Sequence, residues 1–214
     1  MYKAIKQYCD LRNVELLVVS KMRSDEEIMQ VYREGQRLFG ENRVQDLLLK
    51  KDRLPADIQW HLIGTLQRNK VKYIAPFISM IQSVDDLPLW QEIHRQAVKT
   101  NRVIPCLLQV KIAREESKEG FDPHELHRYL ADGLWRQWNG VSVRGLMGMA
   151  SLTPDQEQWK REFRTLRAEF ESIRDNYFQG PEFNILSMGM SADYKIAIEE
   201  GANLVRVGSA VFAS

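Results

Sequence analysis

Cysteine is scarce in this 214-residue sequence, which contains only Cys9 and Cys106. Two cysteines so far apart form neither a disulfide framework nor the ligand spacing of a zinc site. An excess of either charge is also missing: the formal net charge is +1, so no overall basic field is available to collect nucleic acid. No apolar run approaches the roughly 20 residues that a membrane-spanning helix needs. These absences argue against a disulfide scaffold, a nucleic-acid binder and a membrane-spanning protein.

Several common functional signatures are missing as well. The N-terminal segment, residues 1–8, is polar and lacks the apolar stretch of a signal peptide, so we expect a cytoplasmic protein with reduced thiols. The sequence has no Walker-type loop, no Gly-x-Gly-x-x-Gly loop and no Gly-x-Ser-x-Gly nucleophile motif. No residues have the spacing of metal ligands.

The sequence does contain short apolar segments that alternate with amphipathic helical segments. We predict eight strands, at residues 16–20, 37–40, 59–64, 78–83, 104–112, 141–147, 183–186 and 204–208. Strands separated by helices indicate a parallel sheet with crossover connections. A count of eight favours a closed (β/α)8 TIM barrel over an open sheet. We therefore expect an α/β fold in which residues 1–214 form a single barrel domain.

Lys21 follows the first predicted strand, whose residues 16–19 are all apolar. Functional groups of such barrels lie at the C-terminal ends of the strands. A lysine that begins in the barrel interior loses hydration, which favours the neutral amine. A carbonyl-bearing cofactor needs a neutral amine to form a Schiff base. The alternative is a lysine that extends outward into solvent.

The loops after the seventh and eighth strands carry residues suited to phosphate. Barrels often bind phosphate in these two loops through backbone N–H groups. We expect Ser191 to cap a helix after the seventh strand, and Gly189 allows a close backbone approach. Gly208 and Ser209 add an amide and a hydroxyl after the eighth strand. The alternative is an ordinary helix cap with loop glycines, but both motifs lie where the fold places phosphate.

Arg206 interrupts the apolar eighth strand. Strand alternation puts it on the same face as Leu204 and Gly208, which predicts a side chain inside the barrel. A buried arginine needs a partner because an unpaired buried charge is unfavourable. Two interpretations stay open: an internal ion pair with a carboxylate such as Glu41, or a contact to a ring nitrogen or an anionic group.

Other polar residues have simpler interpretations. His61 lies within the third predicted strand and is interpreted as a hydrogen-bonded core residue. The basic cluster at residues 50–53 is interpreted as a solvated helix end. The cluster at residues 67–70 is either another solvated helix end or a contact for a cofactor-side loop or a partner. The sequence assigns no role to Lys70 or Lys118.

Six segments together resemble the pyridoxal phosphate homeostasis protein family. They are residues 19–21 (VSK), 39–42 (FGEN), 60–70 (WHLIGTLQRNK), 145–147 (GLM), 186–193 (LSMGMSAD) and 205–212 (VRVGSAVF). The resemblance runs from about Leu16 to Phe212, and its third and fifth segments are long enough to be specific. The sequence departs from the family in a shortened N-terminal helix, in the loop at residues 147–150 and at its end, residues 211–214.

The resemblance implies a barrel of the alanine racemase N-terminal type that holds pyridoxal 5′-phosphate (PLP) as a Schiff base on Lys21. It also implies that the Ser-Met-Gly-Met-Ser segment, Gly208 and Ser209 cradle the phosphate and that Arg206 faces the pyridine nitrogen. The cofactor-binding residues that it implies are Lys21, Asn42, Met147, Ser187, Met188, Ser191, Arg206, Gly208 and Ser209.

The function implied by the resemblance is the binding, buffering and delivery of PLP, without committed catalysis. The family pattern suggests a monomer or weak dimer, with PLP-dependent apoenzymes as candidate partners. The alternative is a PLP-dependent amino-acid racemase, which needs acid–base groups on both faces of the α-carbon. In alanine racemase the second group is a tyrosine from a C-terminal β-domain, for which we expect no residues here. A third interpretation is a phosphate-ester-binding barrel enzyme, such as an aldolase, in which Lys21 acts on a sugar.

Overall fold

The strands of the protein close into a barrel. The computed structural model describes residues 1–113 and 119–213. Its strands are β1 (Glu15–Val19), β2 (Leu38–Glu41), β3 (Gln59–Leu62), β4 (Met80–Val84), β5 (Ile104–Gln109), β6 (Val141–Met147), β7 (Ile185–Ser187) and β8 (Leu204–Val207). They pair in parallel in chain order, and β8 closes onto β1 with Arg206 opposite Leu17. The predicted (β/α)8 barrel is confirmed.

Helices connect successive strands and surround the barrel. In the described ranges they are α1 (Tyr2–Asp10), α2 (Asp25–Arg33), α3 (Val44–Arg53), α4 (Val71–Ile74), α5 (Leu87–Lys99), α6 (Pro123–Asp132), α7 (Gln156–Tyr177), α8 (Tyr194–Glu199) and α9 (Ser209–Phe212). Short 3-10 turns lie at Arg68–Lys70 and Leu134–Gln137. None of the helices that the structure describes is long and apolar enough to cross a membrane.

Polar side chains cap several of these helices. Ser24 accepts a hydrogen bond from the N–H group of Glu27, whose carboxylate accepts one from the N–H group of Ser24, so α2 begins with a capping box. Asp86, Asp122 and Asp155 cap α5, α6 and α7, each through a carboxylate that accepts at least one backbone N–H group but without a capping box. The caps define where the barrel loops end and the helices begin.

Strand alternation divides the side chains between the barrel interior and an outer core. Leu17, Val19 and Leu204 pack together in the interior. A second interior cluster contains Met80, Leu107 and Met147. Intervening residues, among them Phe39, Trp60 and Leu186, join the large core between barrel and helices. Continuous apolar strands are therefore buried on both faces, as expected for parallel strands.

A buried ion pair connects β2 to α3. Lys50 Nζ donates to Glu41 Oε1 at 2.6 Å and to the Ser20 carbonyl at 2.7 Å. The Ser20 hydroxyl donates to the same Glu41 oxygen at 2.6 Å. Lys50 is buried, so the prediction that the cluster at residues 50–53 is solvated is wrong for this residue. Because Ser20 precedes Lys21, the pair also holds the backbone that leads into Lys21.

Several predicted boundaries differ from the structure. The strand predicted at residues 183–186 is Ile185–Ser187, because the preceding residues are still in the loop that follows α7. Ser191 does not cap α8, which begins at Tyr194 with Asp193 at its N-cap. Lys118 and Ser214, whose roles the sequence left open, lie outside the described residues.

Candidate functional site

The C-terminal end of the barrel gathers most of the predicted site residues. Lys21 lies one residue beyond Ser20, which donates through its N–H group to the Gly40 carbonyl and so continues the β1–β2 pairing. The Lys21 side chain is exposed. The prediction that it begins in the barrel interior and loses hydration is therefore wrong, and the outward alternative describes the structure. As a solvated amine, Lys21 remains accessible to a ligand at the barrel mouth.

The β8 loop lies directly against the end of β1. A Cβ atom at Gly208 would lie 3.1 Å from both Cβ and O of Val19, which is tighter than ordinary van der Waals contact. Glycine therefore lets the two strand ends approach closely. Since Val19 is two residues before Lys21, the β8 loop lies beside the segment that carries Lys21.

Ser191 joins the β7 loop to the β8 loop. Its Oγ accepts hydrogen bonds from the N–H groups of Gly208 at 3.2 Å and Ala210 at 3.3 Å. The N–H groups of Ser191, Ala192 and Ser209 have no acceptor within residues 1–113 and 119–213. Unpaired backbone N–H groups in adjoining loops are suited to an anion.

Arg206 lies inside the barrel, as the strand alternation predicted, and is only 3% exposed. Its guanidinium donates from Nη1 to Ser187 Oγ at 2.7 Å and from Nη2 to the Gly148 carbonyl at 2.9 Å. Burial lowers the pKa of Arg206 to about 10, and the nearby charge of Asp193 opposes this effect. The ion pair with Glu41 that we considered is wrong, because Glu41 is paired with Lys50.

A chain of buried polar groups continues from Arg206. Ser187 Oγ donates to Gln82 Oε1 at 2.7 Å, and Gln82 Nε2 lies 2.9 Å from His61 Nδ1. Burial lowers the pKa of His61 to about 3. The prediction of a hydrogen-bonded core histidine is confirmed. Gln82 was not predicted as a site residue, although strand alternation from Met80 would have placed it inside the barrel.

The two methionines among the predicted site residues have different surroundings. Met147 is fully buried in the interior cluster with Met80 and Leu107. Met188 is also fully buried, but in the outer core between the barrel and the helices. The structure therefore contradicts a side-chain contact between Met188 and a ligand in the barrel, because Met188 follows the inward Ser187 and points to the other face.

A cavity of about 390 Å³ lies at the same end of the barrel. Residues lining it include Asn42, Thr65, Gln109, Glu119 and Met149. The side-chain amide of Asn42, a predicted site residue, has no hydrogen-bond partner in the part of the chain that the structure describes. The cavity thus provides a polar compartment on the β2, β3, β5 and β6 side of the mouth.

Asp85 follows β4 near this cavity. Burial raises its pKa to about 6, and the charges of Asp86 and Glu119 act in the same direction. A raised carboxyl pKa means that the folded state binds more protons than the unfolded state between about pH 4 and pH 6. The free energy of unfolding therefore falls as pH rises through this window, and the penalty is complete above pH 6.

We expect Asp85→Asn to stabilise the protein at pH 8 by on the order of 1 kcal/mol, after allowance for solvent screening. At pH 4 the substitution should have little effect, because the native carboxyl is then protonated. Urea unfolding at the two pH values measures the difference, with Asp132→Asn on the exposed end of α6 as a control. An equal effect of Asp85→Asn at both pH values would show that proton binding is not the cause.

The comparisons with known proteins agree with the barrel fold. A family model described as alanine racemase, N-terminal domain, matches residues 2–214. The alanine racemase of Bartonella henselae has a TM-score of 0.71 with 17% identity, over 97% of this chain and 57% of that one, which shows a shared fold. The family match and the fold thus define a barrel of the alanine racemase N-terminal class.

Two further relatives identify the family. The pyridoxal phosphate homeostasis protein of Aquifex aeolicus is 39% identical over 203 residues, which cover 92% of this chain and 86% of that protein. PipY of Synechococcus elongatus, solved without PLP and with PLP bound, is 34% identical, with TM-scores of 0.89 and 0.86. The alignments cover 97% of this chain and 99% of PipY. The chain belongs to the pyridoxal phosphate homeostasis protein family.

Proposed function

We propose that this chain binds PLP at the C-terminal end of the barrel and takes part in PLP homeostasis. The observation that carries the proposal is the contact between the β1 end, which leads into Lys21, and the β8 loop at Gly208. This contact supports the proposal because it brings the backbone segment that leads into the exposed Lys21 close to loops with unpaired N–H groups. The name of the Aquifex aeolicus relative and the PLP-bound structure of PipY support the same function.

The loop residues fit the phosphate of PLP. The unpaired N–H groups of Ser191, Ala192 and Ser209 can donate to phosphate oxygens, and the exposed Ser209 hydroxyl can add another bond. Gly208 keeps the loop close to β1, where any larger residue would press on Val19. The predicted phosphate cradle is therefore retained in our proposal for Ser191, Gly208 and Ser209.

The barrel interior and strand ends fit the rest of the cofactor. When bound, PLP supplies an aldehyde carbon that forms a reversible covalent bond with an amine. Lys21 is the amine that we assign to this bond. Arg206 donates hydrogen bonds but does not give up its proton, so it suits an unprotonated ring nitrogen. Asn42 supplies a further polar group from the β2 side, and Met147 lies in the apolar interior cluster.

The proposed role is to hold and release PLP without turnover of an amino acid. PLP-dependent apoenzymes are the proposed recipients, and we propose a monomer or weak dimer in the cytoplasm. An arginine opposite the ring nitrogen makes the ring a weaker electron sink than a protonated ring would be. This arrangement favours storage over reactions that need strong carbanion stabilisation.

The test uses purified protein that has been freed of ligand and titrated with PLP. We expect one equivalent of PLP to bind per protein molecule. Borohydride reduction should then make its bond to the protein irreversible. The loaded protein is then incubated with L-alanine, and D-alanine is measured over time. Absence of PLP binding would contradict the proposal, and steady racemisation above a Lys21→Ala control would contradict the absence of turnover.

A further inference from the structure

The hydrogen bonds of Arg206 continue across the barrel interior. Arg206 contacts Ser187 on the neighbouring strand β7, Ser187 contacts Gln82 on β4, and Gln82 contacts His61 on β3. All four side chains are at most 5% exposed. Buried polar side chains of this kind are unfavourable unless they are hydrogen-bonded, so a chain of four needs an explanation.

The donor and acceptor of every hydrogen bond in this series of side chains follow from Arg206, its first residue. A guanidinium only donates, so Ser187 Oγ accepts from Arg206. The single hydroxyl proton of Ser187 is then free for Gln82 Oε1 at 2.7 Å. This orients the Gln82 amide with Nε2 toward His61, whose Nδ1 must accept. His61 is therefore neutral with its proton on Nε2, in agreement with its lowered pKa of about 3.

The alternative orientation of the Gln82 amide is less favourable. If Gln82 presented its NH₂ group to Ser187, the serine oxygen would receive donors from both sides. Its own proton would then lack the acceptor at Gln82. The favoured arrangement is therefore the one in which Arg206, Ser187 and Gln82 each donate to the next group.

We infer that Ser187 and Gln82 are positioning residues that hold the Arg206 guanidinium for the cofactor ring, with His61 as the fixed end of the chain. The inference rests on the proposed binding of PLP. It changes the role of Ser187, for which the family resemblance implied a place in the phosphate cradle. Its only proton is directed at Gln82, and its side chain is fully buried, so Ser187 acts through Arg206 and not on the phosphate.

A double-mutant cycle tests this arrangement. Ser187→Ala and Gln82→Met each remove one link, and we expect each to weaken PLP binding about three- to tenfold, the range of one hydrogen bond. The double variant should be no weaker than the worse single variant, because both changes interrupt the same chain. Gln91→Met on the exposed face of α5 is the matched control and should bind PLP as the wild type does.

Pyridoxal, which lacks the phosphate, distinguishes the two roles of Ser187. If Ser187 positions Arg206 toward the ring, Ser187→Ala weakens binding of PLP and of pyridoxal by the same factor. If Ser187 holds the phosphate, the loss occurs with PLP alone, which would overturn the inference. Additive losses in the double variant, or unchanged PLP binding by Gln82→Met, would also overturn it.

Two measurements, thermal unfolding of the variants and PLP titration of the wild type, separate the positioning role from misfolding and from failure of the proposed function. Thermal unfolding of each variant shows whether it is folded; if Gln82→Met does not fold, the comparison of PLP with pyridoxal on Ser187→Ala still decides between the roles. Failure of the proposed function would be detected separately, because the wild-type protein would then not bind PLP in the titration. In that case the positioning role falls with it.

Discussion

Lys21→Ala is expected to abolish the borohydride-fixable adduct between this protein and PLP. The substitution removes the amine that we assign to the aldehyde, while the phosphate loops and Arg206 remain. We expect residual binding that is weak and fully reversible on dialysis. The measurement is absorbance at the visible edge of the ultraviolet, followed by borohydride reduction and intact mass, which reports the adduct directly.

A matched control is Lys72→Ala, which removes a lysine of α4 that lies over the Tyr73 ring. This variant should keep the full adduct. If Lys21→Ala keeps it instead, peptide mapping of the reduced protein will show which lysine is modified, and Lys21 is then the wrong assignment. Lys50 is a poor substitute because its Nζ already donates to Ser20 and Glu41 in a buried pair.

The exposure of the Lys21 side chain affects the release of PLP as well as its binding. A buried lysine would be an activated nucleophile, but it would also be enclosed by the barrel. Lys21 instead follows a rigid segment, because the Lys50–Glu41 pair holds Ser20 and the β1–β2 pairing continues to Ser20. A fixed backbone with a solvated amine suits a protein that takes up a cofactor and gives it up again.

The barrel itself could be predicted from the sequence because its signals are local. The strand at Val141–Met147 has the predicted bounds, and Asp122 caps α6 with Pro123 in its first turn. Arg206 could be placed inside the barrel since alternation along a single strand decides the face. The predicted start of β7 was wrong because Phe183 is apolar and buried although it lies in the preceding loop.

The polar interior could not be predicted in the same way. Gln82 and Ser187 are 105 residues apart, and only closure of the barrel brings them together. Glu41 on β2 and Lys50 on α3 form a buried ion pair. The sequence does not reveal it, because Lys50 belongs to a cluster of charged residues that is typical of a solvated helix end. For Met188, the motif alone does not show which side chains face inward, and the structure places this side chain in the outer core.

Arg206→Met is expected to weaken PLP binding by about 10- to 100-fold, the range of a hydrogen bond made by a charged donor. The substitution replaces the buried cation with a shorter, unbranched apolar side chain. It leaves Ser187 Oγ without its donor, so the interior chain is also interrupted. Titration of the purified variant with PLP measures the change.

The same substitution should not lower the stability of the ligand-free protein. Burial lowers the pKa of Arg206 to about 10, so desolvation disfavours the buried cation. An apolar side chain avoids this penalty, although Ser187 and Gly148 each lose a partner. We expect the midpoint of thermal unfolding to change little, because the relieved desolvation of the cation offsets the two lost hydrogen bonds, and weaker PLP binding at unchanged stability would identify Arg206 as a residue kept for binding.

Arg164→Met, at an exposed ion pair between α7 and Glu200, controls for the loss of an arginine and should leave PLP binding unchanged. A PLP analogue with carbon in place of the ring nitrogen then tests the contact itself. Wild-type protein should prefer PLP over the analogue, because Arg206 has a ring acceptor only in PLP. Arg206→Met should bind both equally. If the wild type does not distinguish the two ligands, Arg206 does not face the ring nitrogen, and its effect on binding must come from its charge.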